Sequence, residues 1–181
     1  MKNHPTRVTL QSGFTLIEAS MVLAVSAVLA TSAAPSMQDM IAARRLDNAV
    51  GQLVNDIHLV RTAAIARNQA LRLSFMPRAG GSCYAIHTGN AGDCACSGTG
   101  PAVCGAGARE IKTVAIADSD HVSIVSNAGS MLFDPMHGTS TPTGTVRIVG
   151  MNGREVRHVV NVMGRVRSCS PAPAVPGYRA C

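Results

Sequence analysis

From Ala19 to Gln38 the chain runs for twenty residues without a charged side chain. As a helix, a run of about 20 apolar residues spans a hydrocarbon core of about 30 Å. Residues 1–13 ahead of it carry Lys2 and Arg7 and no acid, a basic flank that stays cytoplasmic and sends the rest of the chain outward. A secretory signal places its cleavage site after the apolar core. Here the good candidate, Gly13-Phe14, precedes it, so cutting there leaves the hydrophobic helix on the mature protein. Glu18 stands at the start of that helix. A carboxylate at mid-bilayer depth costs about 2.5–3.5 kcal/mol, so this one needs a partner or a role.

The run Gly13-Phe14-Thr15-Leu16-Ile17-Glu18 resembles the processing site of type IV prepilins and type II secretion pseudopilins. Pro35 falls where such pilins carry a helix-kinking proline. The resemblance implies cleavage by a prepilin peptidase between Gly13 and Phe14 and N-methylation of Phe14. It also implies a pairing of Glu18 with the Phe14 ammonium of a neighbouring subunit. Opposite charges at a desolvated interface fix register, because either one left alone is costly. The implied partners are other pilin subunits, the peptidase, the inner-membrane assembly platform and, before assembly, the membrane. The implied location is the inner membrane, crossed once with the C-terminal domain in the periplasm, and then the pilus outside the cell.

Beyond Pro35, Met37, Ile41, Leu46, Val50, Leu53, Ile57, Val60 and Ala64 recur at three- to five-residue steps. Asp39, Arg44, Arg45, Asp47, Asp56 and Arg61 are expected on other faces of this amphipathic stripe. One helix from about Thr15 to about Asn68 is the reading. After Asn68 the period becomes two, and short strands are expected at Leu71–Phe75, Tyr84–Ile86, Ile111–Val114, Val122–Ile124, Met131–Phe133, Val146–Ile148 and Val156–Met163. Asn152-Gly153 signals a hairpin between the last two. Thr88 to Ala108 is expected as an irregular loop and the Pro-rich tail from Ser168 as an extended one. The fold class is α+β, a helix packed on antiparallel sheet. The divisions are a leader at 1–13, a membrane or filament-core helix at 14–35, its amphipathic half at 36–68, a β-rich domain at 69–168 and a disulfide-closed tail at 169–181. With Met131-Leu132-Phe133-Asp134-Pro135-x-x-Gly138 and a closing Gly164-Arg165-Val166-Arg167, the chain is similar to the FimT/GspH branch of minor pilins and pseudopilins. That resemblance implies a type IV pilin-like fold, the N-terminal helix against two small antiparallel sheets.

Cys83, Cys94, Cys96, Cys104, Cys169 and Cys181 all follow the apolar segment, in an oxidising compartment where thiols pair. Cys94-Ala95-Cys96 lacks the Cys-x₂-Cys spacing and matched second pair of structural zinc, so disulfides are expected and no metal. Cys169 and Cys181 bracket the tail and are expected to pair. The first four leave three pairings open.

Hydrophobic residues at 46 % and charged residues at 14 % exclude a disordered polyelectrolyte. Aromatics at 3 %, with no Trp, argue against a base-stacking surface. The six histidines are scattered, and neither a metal-ligand spacing nor a nucleophile elbow is present. No enzymatic activity and no cofactor are expected. The charge, by contrast, is uneven. Of the formal +6, Lys2 and Arg7 leave with the leader, and the mature chain keeps +4. From Arg147 to Cys181, six arginines face one acid, Glu155. Arg165 and Arg167 emerge on one face of a strand about 6.6 Å apart, a spacing near that of phosphates along one nucleic-acid strand, and arginine's planar fork suits phosphate. Gly164 permits a turn that lifts the pair to the surface. Some FimT-like minor pilins bind DNA through a C-terminal Gly-Arg-x-Arg, which Gly164, Arg165 and Arg167 match. That resemblance implies sequence-nonspecific binding of double-stranded DNA in natural transformation, with Arg154, Arg157 and Arg179 as candidate supports. The alternative is a GspH-like pseudopilin of type II secretion, or a pilus-priming subunit, without DNA binding. In that case the arginines guard a strand edge.

Overall fold

The computed structural model describes residues 13–98, 100–105, 107–172 and 174–181. Leader residues 1–12 lie outside them. The chain divides into two compact units, Met1–Met40 and Ile41–Cys181.

One helix, α1, covers Leu16–Ala66 with Pro35 inside it. Thr15 caps its start: the hydroxyl oxygen accepts the Glu18 N–H at 3.3 Å, the Thr-x-x-Glu arrangement of a capping box. In the first unit the apolar side chains lie bare, with Phe14 82 %, Leu16 90 % and Leu23 71 % exposed. The helix is long and apolar enough to cross a membrane. Apolar surface of that extent marks a contact with lipid or protein.

In the second unit the stripe Leu46, Val50, Leu53, Ile57, Val60 and Ala64 is buried, each step three or four residues, as one helix face requires. Met37 and Ile41 remain exposed. Two sheets meet this face. The first orders its strands β5-β2-β1-β7-β8, where β1 is Leu71–Arg78, β2 Gly81–His87, β5 Glu110–Ala117, β7 Ser130–Phe133 and β8 Ser140–Thr141. The second runs β12-β11-β10-β9-β6, with β6 Ser123–Ser126, β9 Gly144–Val149, β10 Glu155–Val160, β11 Val166–Ser170 and β12 Arg179–Ala180. Leu71, Leu73, Tyr84, Ile86, Met131 and Phe133 from the first join Val146, Ile148, Val156 and Val160 from the second in one core with the helix.

Four expectations change. Asp56 is not on the solvent side: it is 2 % exposed, accepting the Tyr84 hydroxyl at 2.8 Å and Lys112 Nζ at 2.5 Å. A carboxylate is tolerated in a core when both oxygens have donors, and burial together with this carboxylate pushes the Tyr84 hydroxyl pKa upward. The last predicted strand stops at Val160, because Asn161–Gly164 turns the chain. Ser168 to Ser170 is strand, not loop, and the tail is anchored by buried Val175 and by β12 lying parallel to β11. The loop between Thr88 and Ala108 holds a small ribbon, β3 Cys94–Ala95 with β4 Val103–Cys104.

Disulfides join Cys83 to Cys96, Cys94 to Cys104 and Cys169 to Cys181. Two histidines are core residues with both ring nitrogens engaged. His87 bonds Ser74 Oγ and the Thr88 carbonyl. His158 donates through Nε2 to the Val50 carbonyl at 3.1 Å and accepts the Ser168 hydroxyl at Nδ1 at 2.9 Å, which ties β10 to α1.

A cationic cleft on the C-terminal sheet

Alternation along β9, β10 and β11 puts Arg147, Glu155, Arg157, Val159, Arg167 and Cys169 on the outward face of the second sheet. Register sets Arg157 between Arg147 and Cys169, and Val159 beside Arg167. Glu155 takes both Arg147 nitrogens, at 3.0 and 2.7 Å, and Arg157 Nε at 2.5 Å. Bidentate arginine–carboxylate bonds are the strong kind. Those from Arg147, aided by Arg157, hold the Glu155 pKa down at about 2. Arg147 and Arg157 are therefore engaged with the acid.

Arg165, Arg167 and Arg179 are exposed, and none makes an ion pair among the described residues. Arg167 and Arg179 line one open cleft of about 500 Å³ with Val159, Ser168 and the Cys169–Cys181 bridge. The bridge and the β11–β12 pairing set Arg179 opposite Cys169. Arg154 precedes β10, three residues before Arg157, which pairs with Cys169 of the cleft, and it is not among the residues that line the cleft.

The turn that presents Arg165 is locked. Asn161 Oδ1 accepts the Arg165 N–H at 3.0 Å, the Asn161 N–H donates to the Arg165 carbonyl at 3.1 Å, and the Gly164 N–H donates to the Asn161 carbonyl at 2.9 Å. From β8, Ser140 gives its N–H to Val162 O and its hydroxyl to Asn161 O, both at 2.9 Å. Gly164 has φ +67°, and a Cβ there would stand 2.7 Å from the Gly138 carbonyl oxygen. Arg61 Nε donates to that same oxygen at 3.1 Å. The Asp134-to-Gly138 loop is fixed in turn: Asp134 Oδ1 accepts the N–H of Met136 at 3.0 Å and of His137 at 2.9 Å. Two sequence motifs 26 residues apart thus meet beneath Arg61.

The acid pair predicts a pH dependence. Glu155 has a folded pKa below its ordinary value of about 4.5, so its stabilisation is full above that value and fades as pH falls toward 2. Burial lowers the His158 pKa, so stability also falls as pH drops below about 6.5, where the unfolded imidazole takes a proton first. Urea melts of E155Q at neutral pH should lose about 1–3 kcal/mol. Across pH 6 to 3 they should keep the histidine limb and lose the carboxylate limb.

Residues 49–164 match the family described as Type II transport protein GspH. The chain belongs to the GspH family. Residues 9–34 of this GspH-family chain match the prokaryotic N-terminal methylation motif, which takes in Gly13, Phe14 and Glu18. No curated protein sequence matches it. Among solved structures, it is similar to the Pseudomonas aeruginosa PAO1 type IV minor pilin FimU. In the P21 crystal form the identity is 13 %, the TM-score 0.51, and 71 % of this chain and 94 % of that one are covered. In the P65 form the figures are 13 %, 0.44, 70 % and 97 %. The P21 likeness establishes a type IV pilin-like fold for the GspH-family chain. Membership of the GspH family, together with the N-terminal methylation motif, implies processing of the N-terminus and association with other pilin subunits.

Proposed function

We propose that this chain is a minor type IV pilin that captures DNA on its C-terminal sheet. The precursor is cut between Gly13 and Phe14, methylated on Phe14, and assembled through its apolar helix with Glu18 against a neighbour's Phe14 ammonium. Its domain, first periplasmic, is then displayed on the pilus and serves uptake in natural transformation. Arg165 and Arg167, with Arg179 beside them, take phosphates of double-stranded DNA without reading sequence. The observation that carries this reading is the division of labour among the arginines: two are neutralised by Glu155, while Arg167 and Arg179 line an open cleft and Arg165 stands two residues from Arg167, all three without an acidic partner among the described residues. Arg157, held by Glu155, supports the face as scaffold.

Backbone-directed binding releases counterions, so its strength must fall with salt. A duplex of about 30 base pairs titrated against the mature chain in detergent should give a log–log salt slope of about −2.7 for three phosphate contacts. Absence of binding at low salt overturns the proposal. It would favour the second reading, a type II secretion pseudopilin or priming subunit without DNA binding, which the description of the matched family supports.

A further inference from the structure

The first sheet has an end that the C-terminal cleft leaves unused. Register places Glu110, His87, Leu71, Phe133 and Ser140 at one end of β5, β2, β1, β7 and β8 respectively. Ser140 is the residue that clasps the Asn161–Arg165 turn. Four strand spacings away, Arg109 stands immediately before β5. It lines, with Arg67, Gln69 and Thr88, a polar cleft of about 230 Å³. The Thr88 hydroxyl oxygen accepts the Arg109 N–H at 2.8 Å, and the Thr88 N–H donates to the Arg109 carbonyl at 2.9 Å, so the backbone that carries the arginine is fixed. Neither Arg67 nor Arg109 makes an ion pair among the described residues.

Three acids share this end. Asp134 folds its carboxylate onto the Met136 and His137 N–H groups, Glu110 accepts the Thr113 hydroxyl, and Asp93, beside Gly89 and Ala108, accepts the Asn90 N–H at 2.6 Å. All three are already engaged within their own segments, whereas the two arginines face an open polar cleft. Four spacings amount to about 19 Å. That is about 6 base pairs of duplex at about 3.4 Å each.

We infer that Arg67 and Arg109 form a second phosphate-binding cleft, which extends the DNA footprint across the end of the first sheet. The inference rests on the DNA-binding reading above and adds to it a minimum length of bound duplex. A duplex that reaches both clefts gains two phosphate contacts; one that reaches a single cleft gains none.

The test compares a duplex of about 30 base pairs with a hairpin of about 4, too short to span the two clefts, using the mature full chain in detergent. R67Q/R109Q should weaken binding of the long duplex about tenfold or more and reduce its salt slope by about 1.8, while binding of the short hairpin stays unchanged. R165Q/R167Q should weaken both. If R67Q/R109Q leaves the long duplex and its slope untouched while R165Q/R167Q loses binding, the second cleft is excluded and the first stands. Equal loss on both lengths overturns the spanning footprint. A chain that binds neither length overturns both proposals. Loss of binding to phosphatidylglycerol vesicles alone would assign the cleft to lipid headgroups and overturn its role with DNA.

Discussion

Replacing Arg165 and Arg167 together by Gln should lower the affinity of the mature chain for duplex DNA about 100-fold. A hydrogen bond to a charged group contributes about 1.5–3 kcal/mol, so two lost contacts amount to at least about 3 kcal/mol, and each 1.4 kcal/mol is about tenfold. The salt slope should shrink by about 1.8 at the same time. The fold should not notice. Both side chains are exposed, and neither makes a side-chain hydrogen bond or ion pair among the described residues. Thermal melts of the variant should therefore coincide with those of the parent, which separates a lost contact from a lost structure. An R147Q control should behave in the opposite way. It leaves the free arginines in place but strips Glu155 of its bidentate partner, so stability falls and DNA affinity changes little. Parent-like binding by R165Q/R167Q would remove the assigned residues from the site.

The second large effect is expected at Gly164. Alanine there must adopt φ +67° with its Cβ 2.7 Å from a backbone oxygen and 2.9 Å from Arg61 Cδ. A left-handed non-glycine residue costs about 1 kcal/mol or more, and contact with fixed backbone raises the total to about 2–4 kcal/mol. The obstacle is the Gly138 carbonyl, which already accepts Arg61 Nε, so relief means opening the turn or breaking that bond. Urea unfolding should report the stability loss. DNA titration of the folded fraction should report weaker binding even though both arginines are retained, because the turn that aims Arg165 has moved. Gly153→Ala is the comparison: φ is +69° there too, but nothing lies within 4 Å. It should cost about 1 kcal/mol and leave binding alone.

The helix and much of the core were legible because period-3.6 burial leaves a direct trace: Leu46 to Ala64 show it in sequence and are buried in space. Asn152-Gly153 was legible for the same kind of reason, since both residues sit at positive φ between β9 and β10. Strand β11 was not. Its Ser168-Cys169-Ser170 segment carries no alternating hydrophobicity, since Cys169 is bonded to the tail and the Ser168 and Ser170 hydroxyls work inward on His158 and Glu155 O. Val162 and Met163 extended the predicted strand because they are apolar, yet they are 55 % and 50 % exposed in a turn whose shape comes from Asn161 and Ser140. In the candidate site, the proximity of Arg165 and Arg167 could be read from their spacing. The neutralisation of Arg147 and Arg157 depends on register across β9 and β10, although an Arg, Glu, Arg set flanking a hairpin is a signal that could have been weighed. The Arg67–Arg109 cleft joins segments more than forty residues apart, which no local pattern encodes.

Two covalent links hold the span from Thr88 to Ala108: Cys83–Cys96 ties it to β2, and Cys94–Cys104 closes its ribbon. Among the buried core residues it contributes Cys94 and Ala102. Anchored in this way, the intervening side chains are released from packing duty. The segment can accept substitutions, or change length between its cysteines, without taxing the hydrophobic interior. On the pilus display proposed above, that makes it the place where the surface is free to diversify while the helix and both sheets stay unchanged.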